Sequence, residues 1–350
     1  MRLPLHGPGA EPWRSFVAAH PRATFFHGPA WLDAVEKGLG KEAVILAHCG
    51  PDGAVRGVLP LALCRGFAGR ALVGSPFRDQ GGPLVLDPAD AAPLLDEALD
   101  LARALRVGRV TLNRPDEALA DVLAGRGFAP DPYGVDCWLE FDQAEEAYVS
   151  SLKGSVRWAV RKAHNAGLAV RADLAGERLD AFSALFAATR QRLGVAAYPA
   201  GFLRRLFAGG PGKAVLLAAL RPDGGLAGGL VVFRHGEQAF SGYLAYAYEH
   251  RELRIADLLF HEAIRWSRES GARRFLFGTD SPHQESLIAY KRKWLAEPRE
   301  AVAWHWTADG RAYARQDTEA GGFGLVRTAL RVAPRPLFLL ASRLALGFWE

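Results

Sequence analysis

A chain of 350 residues exceeds what one ordinary core supports and predicts two domains of about 100–200 residues each. With 49% apolar and 23% charged residues it has the composition of a soluble globular protein, and a net charge of +5 permits anion binding without marking a nucleic-acid protein. Cys49, Cys64 and Cys137 are an odd, widely spaced set with no CxxC, which argues against a disulfide framework or a zinc site and fits a reducing cytosol.

The opening "MRLPLHGPGAEPW" lacks a basic start followed by an apolar run, so no secretory signal is expected. Nowhere do about 18 apolar residues follow one another, so no bilayer-spanning helix is expected either. In chain order, "FFHGPAWLDAVEKGLG" predicts a short helix ended by Gly38 and Gly40. "EAVILAHC" and "GAVRGVLPLALC" predict a hairpin turned by Pro51-Asp52-Gly53. "RALVGSPFRDQGGPLVL" is a third extended piece interrupted by Gly81-Gly82. "DAAPLLDEALDLARALRVG" is a helix with Asp90 as its expected N-cap and Gly108 as its stop. A strand (RVTLN), a helix (EALADVLAGRGF) and a strand (YGVDCWLEF) follow.

The second half repeats this order. "KAVLLAALRPDGGLAGGLVVFRHG" is a hairpin and "QAFSGYLAYAYE" the next strand. An amphipathic helix follows, with Ala256, Leu259, Phe260, Ala263 and Ile264 on one face and Asp257 and Glu262 mostly elsewhere. "RRFLFG" is a strand, the segment around Tyr290-Lys291 a short helix, and "REAVAWHW" a closing strand. Order duplicated at a spacing beyond about 100 residues is a domain repeat, and helices alternating with strands predict α/β layers. Between the halves, "SLKGSVRWAVRKAHNAG" carries Lys153, Arg157, Arg161 and Lys162 without an acid, and helices are expected at about 180–193 and 200–207. The expected division is 1–148, 149–308 with the basic junction helix, and a helical tail at 309–350.

This order resembles the GNAT acyltransferase fold, and two such units in tandem joined by a basic helix resemble its FemAB-like branch. The stretches that carry the resemblance are "SPFRDQGGPLV", "SVRWAVRKAHNAGL" and "FGTDSPHQESLIAYKRKW". It covers about residues 25–306 and implies a mixed α/β fold, each unit a mostly antiparallel sheet flanked by helices. It also implies acyl transfer from acyl-CoA to an amine or hydroxyl, or, as in FemAB-type enzymes, from aminoacyl-tRNA. Relatives of this kind occur beside exopolysaccharide and cell-envelope assembly systems, so a saccharide or envelope precursor is the expected acceptor class. A non-catalytic scaffold in polysaccharide assembly is the alternative from a different class.

In the GNAT pattern the donor pyrophosphate meets the start of the central helix at Arg/Gln-x-x-Gly-x-Gly/Ala, where unpaired N–H groups and the helix dipole attract it. Here "EHRELRIAD" offers Arg251, Leu253, Arg254, Ile255 and Ala256 as donor-binding candidates but no glycine. Lys291 falls in the aromatic-Lys-x-x-aromatic motif of FemAB-type enzymes, Tyr290 to Trp294, where the lysine is implied to steady charge on the acyl carbonyl. Tyr290 matches an aromatic position implied to protonate a leaving thiolate. Asp280, Glu285 and His283 are candidate bases in the loop after "RRFLFG". Each of these is also readable as a solvated or packing residue.

Arg157, Arg161 and Lys162 share a helix face suited to a phosphate-bearing substrate, the alternative being plain solvation. Tyr243, Tyr246 and Tyr248 are read along the central strand, with Tyr243 and Tyr246 as groove-lining candidates; Arg78 and Asp79 are their counterparts in the first half. No clustered ligand set implies a metal. The tail mixes seven leucines, Leu325 to Leu346, with Arg327, Arg331, Arg335 and Arg343, and Pro334 and Pro336 predict two short helices. That mixture either packs on the second unit or lies on an anionic membrane surface. The expected location is cytoplasmic, with the inner face of the membrane as the place of any peripheral contact.

Overall fold

The structure, a computed structural model, describes residues 1–66, 69–77, 80–210, 212–313 and 323–348. The first part of the chain forms strands β1 (Arg2–Leu3), β2 (Glu42–Cys49), β3 (Val55–Gly66), β4 (Gly69–Val73), β5 (Leu84–Val85) and β6 (Arg109–Asn113). Its helices are α1 (Glu11–Ala19), α2 (Pro29–Asp33), α3 (Ala91–Ala104) and α4 (Ala120–Ala124). Then come β7 (Ala129–Glu140), α5 (Glu145–Ser151), α6 (Gly154–Asn165), β8 (Ala169–Asp173), α7 (Leu179–Leu193) and α8 (Ala200–Leu206). The remaining elements are β9 (Ala214–Leu220), β10 (Leu226–His235), β11 (Gln238–Tyr246), α9 (Ile255–Glu269), β12 (Arg274–Asp280), α10 (Glu285–Arg292), β13 (Glu297–Thr307), α11 (Phe323–Val332) and α12 (Arg335–Phe348).

The chain divides into two units, Met1–Tyr133 with Ala301–Phe323 and Arg343–Glu350, and Gly134–Glu300 with Gly324–Ser342. Within the first, β2, β3 and β4 form an antiparallel meander, β6 joins β4 in parallel, and residues 303–307 of β13 lie antiparallel to β6. Within the second, β8, β9, β10 and β11 are antiparallel, β12 joins β11 in parallel, and β7 lies antiparallel to β12. The strands within each unit repeat one plan. The strand "REAVAWHW", expected to close the second half, instead completes the sheet of the first, while β7 completes that of the second.

Each unit buries its own core. In the first, Leu59, Leu61, Leu72, Val110 and Leu112 of the sheet meet Leu94, Leu95 and Ala98 of α3. Asp90 does stand at the N-cap of α3, but its carboxylate receives Arg56 Nε at 3.1 Å instead of capping the helix. In the second, Ile255, Leu258, Leu259 and Ala263 repeat at helical spacing and face Val215, Leu217, Leu230 and Val232 of the sheet. Burying each such leucine contributes about 1.5–3 kcal/mol before entropy is charged. The polar side of α9 departs from the sequence reading: Glu262 is buried against Arg265, and Asp257 is half-buried.

Candidate active site

The parallel ladder of β11 and β12 spans three residue pairs, Gln238↔Arg274 to Phe240↔Leu276. Beyond them β11 follows β10 as far as Tyr246, and β12 follows β7 as far as Asp280. The strands therefore part where their sequences continue, and a wedge opens toward their C-terminal ends. Helix α9 begins beside it, after the turn that follows β11.

Along the β12–β7 ladder the register slips between Leu276 and Thr279, opposite Trp138 and Asp136. Two residues on β12, Phe277 and Gly278, thus oppose one on β7, Cys137, which is a β-bulge, and Gly278 takes the left-handed φ of +98° that it requires. The extra residue reverses the alternation. Thr279 turns to Asp136, to which its hydroxyl donates, and Asp280 turns to the face already occupied by Phe275, Phe277 and Cys137.

That face is where α10 delivers Lys291. Its Nζ lies 2.6 Å from Asp280 Oδ2 and donates to the Gly278 carbonyl at 2.8 Å. Lys291 is 7% exposed and Asp280 8%. A lysine this deeply buried survives only when paired, and the bulge supplies both partners. An ammonium has three protons, so one donor is left over. Burial raises the Cys137 thiol pKa, with the Lys291 charge opposing and Asp280 reinforcing it, which places that inert thiol beside the pair.

The neighbouring Tyr290 hydroxyl donates to Asp257 Oδ1 on α9 at 3.1 Å, tying α10 to the first turn of α9. Its ring packs against Phe260, with Trp294 completing the cluster. Burial, reinforced by the Asp257 charge, pushes the phenol well above its ordinary range. Burial likewise raises the Asp257 carboxyl, and the Tyr290 hydrogen bond and Arg254 offset only part of it. The phenol proton is thus engaged with a carboxylate. His283 and Glu285 are exposed on the loop and first turn of α10, while Asp280, read as a base, holds the lysine.

At the N-cap of α9, Arg254 adopts φ +60°, ψ +37°, the left-handed region that glycine enters most easily. Its guanidinium lies 5.6 Å from the ring centre of Trp158 on α6, and Lys162 lies 5.3 Å from the same ring. Trp158 is 52% exposed. In the turn before α9, exposed Tyr248 has Arg192 at 4.1 Å and Arg251 at 4.5 Å from its ring centre. Leu253 and Ile255 pack against the core, and Ala256 is half-buried.

Several expected groove residues lie elsewhere. Arg157 donates to the carbonyls of Ser150 and Leu152 and so caps α5; Arg161 is exposed. Tyr243 is buried in an aromatic cluster with Phe186, Tyr198 and Phe233, whereas Tyr246 packs on the α9 side. Tyr248 lies past the end of β11, in the turn. Arg78 and Asp79 fall outside the described residues. Sequence reasoning passed over Gly278, Asp257 and Trp158. Of these only Gly278 left a signal, as a glycine interrupting a strand pattern, which marks a bulge.

Residues 150–292, wholly within the second unit, match the family model described as the acetyltransferase (GNAT) domain. This segment is a GNAT domain. It makes the chain a transferase of the acyltransferase class. Among solved structures the chain is similar to FemX, at 16% identity over 85% of this chain and 96% of that one, with a TM-score of 0.68. It is also similar to a tandem GNAT protein from the clavulanic acid biosynthesis pathway, at 18% identity over 90% and 99%, TM-score 0.54. A third is the C-terminal domain of a putative lysylphosphatidylglycerol synthetase from Agrobacterium fabrum, at 12% over 86% and 92%, TM-score 0.59. At such identities the likeness is one of fold, and that fold is GNAT/FemAB-like. No curated protein matches the chain in sequence.

Proposed function

We propose that the second unit transfers an acyl group from acyl-CoA to an amine or hydroxyl of a small-molecule, saccharide or cell-envelope acceptor. The observation that carries this reading is Arg254. A non-glycine residue held in the left-handed region costs about 1–2 kcal/mol, and such strain persists where the surroundings and the function require the backbone shape. The left-handed turn at Arg254 would lead phosphates onto the start of α9, with a cation at the position where the resembled pattern has glycine. Phosphates at the start of α9 would meet its unpaired N–H groups together with Arg254 and Arg251. The acyl carbon would lie in the wedge, where the acceptor lone pair attacks it, the C–S bond breaks, and the third proton of Lys291 steadies the negative oxygen. The acceptor proton passes to a base, for which His283 and Glu285 are the candidates, and the thiolate is the leaving group. Asp280 acts by positioning Lys291.

A second reading, with aminoacyl-tRNA as donor, is favoured by Trp158 and Tyr248. Exposed rings that each hold two cations suit stacking against bases along a polyanion. Thermal unfolding with acetyl-CoA, longer acyl-CoAs and aminoacyl-tRNA separates the two. Ligand at one hundred times Kd stabilises by about 2.7 kcal/mol. The expected result is a shift with acyl-CoA that Arg254→Gly reduces, although this variant unfolds no more easily because the backbone strain is gone. A shift with aminoacyl-tRNA and none with any CoA would reverse the order of the two readings.

A further inference from the structure

Helices α11 and α12 present an apolar surface that the fold leaves uncovered. Leu325 and Val332 on α11 are 82% and 77% exposed, one stripe seven residues apart. Leu337, Leu340 and Leu344 form a matching stripe on α12, and all three are exposed. Single exposed leucines need no explanation, but stripes on two consecutive helices do.

The helices cannot turn these residues inward, because their other faces are already fixed. Phe338 is fully buried beside Ala187 and Ala197, and the Ser342 hydroxyl accepts from the Ala197 amide at 3.1 Å. Arg335 donates to the Ala184 carbonyl at 2.8 Å and to Gln191 Oε1 at 3.1 Å, while Gln191 Nε2 donates to the Ala333 carbonyl at 2.7 Å. The connection between the helices is thus bolted to α7, and the leucines are held outward.

Charge selects the occupant. Residues 323–348 contain four arginines and no aspartate or glutamate, and Arg331 and Arg343 are exposed. Apolar stripes flanked by cations, with no acid between them, complement a surface that is oily beneath and negative above. At 14 residues α12 is about 21 Å long, too short for a hydrocarbon core of about 30 Å, and no helix among the described residues is long and apolar enough to cross a membrane.

We infer that α11 and α12 dock the protein on the surface of an anionic lipid bilayer, lying in its interface. The inference is independent of the acyl-transfer reading. It is tested by flotation of the full chain with phosphatidylcholine vesicles, with and without 30% phosphatidylglycerol as the probe, about one lipid in three. Expected are co-flotation with the anionic vesicles, about ten-fold less with phosphatidylcholine alone, and a comparable loss for Arg331→Ala/Arg343→Ala. Leu337→Ser/Leu340→Ser/Leu344→Ser should abolish flotation while leaving thermal unfolding unchanged, since the three side chains touch solvent. Absence of the wild-type chain from the anionic vesicle fraction overturns the inference. So does a concentration-dependent dimer that the leucine variant dissolves, which would make a second copy the occupant.

Discussion

The two units share a strand order but treat its centre differently. In the second, β11 and β12 part after Phe240 and Leu276 and leave a wedge. In the first, the corresponding parallel pair β4 and β6 also ends early, at Val73↔Thr111, but the chain returns to fill the opening. Gly81 bridges to Asn113, its amide donating to the Asn113 carbonyl at 2.8 Å, and Asn113 Nδ2 donates to the Gly74 carbonyl at 3.0 Å. Gly74 and Gly81 approach so closely that a Cβ on Gly74 would stand 1.8 Å from the Gly81 carbonyl oxygen. Buried His27 then meets the Gly82 carbonyl at 3.1 Å. The same topology thus yields an open wedge in one unit and a seam sealed by backbone in the other, and the GNAT family match falls on the open one.

The largest effect is expected where the open wedge holds its charged pair. Lys291→Met leaves the Asp280 carboxylate buried and alone, and a loss of about 3–5 kcal/mol in chemical denaturation is expected. The double variant Lys291→Met/Asp280→Leu removes both charges and should recover most of that stability. Acyl transfer should stay depressed by about 10²–10³-fold in the double variant, the size of a lost oxyanion contact. Recovery of transfer together with stability would make the pair structural, and the two units would then differ in shape alone.

In the sealed unit a smaller loss is expected, of about 3 kcal/mol, for Gly74→Ala, because the atoms in the way are backbone and cannot swing aside. Donor-induced thermal shifts should survive in whatever folds. A Gly74→Ala protein that unfolds like the wild type would mean that the Gly81 loop is displaced without cost. The first unit would then have an opening of its own.

The sequence revealed much of this arrangement and concealed specific parts of it. Hairpins, the amphipathic α9 and the break between α11 and α12 follow from periodicity and from Gly and Pro punctuation, all of which are local. The exchange of closing strands is not local. "REAVAWHW" and "YGVDCWLEF" carry similar alternating patterns, and nothing within either strand names the neighbour it joins. Lys291 was legible through its motif, but its burial was not. It depends on a bulge that flips Asp280 onto the helix-covered face, and a slip of one residue inverts every later side chain. Asp257 reads as part of the polar side of α9 because it is an aspartate; the hydroxyl of Tyr290, 33 residues later, meets it instead.

That aspartate carries the smallest prediction, which sharpens the comparison by testing how dry the open wedge is at its helix end. Burial raises the Asp257 carboxyl above its ordinary value of about 4, so the folded protein takes up this proton more readily than the unfolded chain. The resulting contribution to stability is complete below the unfolded value and is lost as the pH rises through the folded one. Asp257→Asn keeps an oxygen to accept the Tyr290 hydroxyl and removes the titration. The variant should therefore lose less stability than the wild type between the ordinary carboxylate value and neutrality. At pH 7 it should match or exceed the wild type by less than about 1 kcal/mol. Denaturation midpoints across this range measure the difference directly. If Asp257→Asn is instead weaker at pH 7, the ionised carboxylate stabilises the first turn of α9 by more than burial costs it, and that end of the wedge is wet.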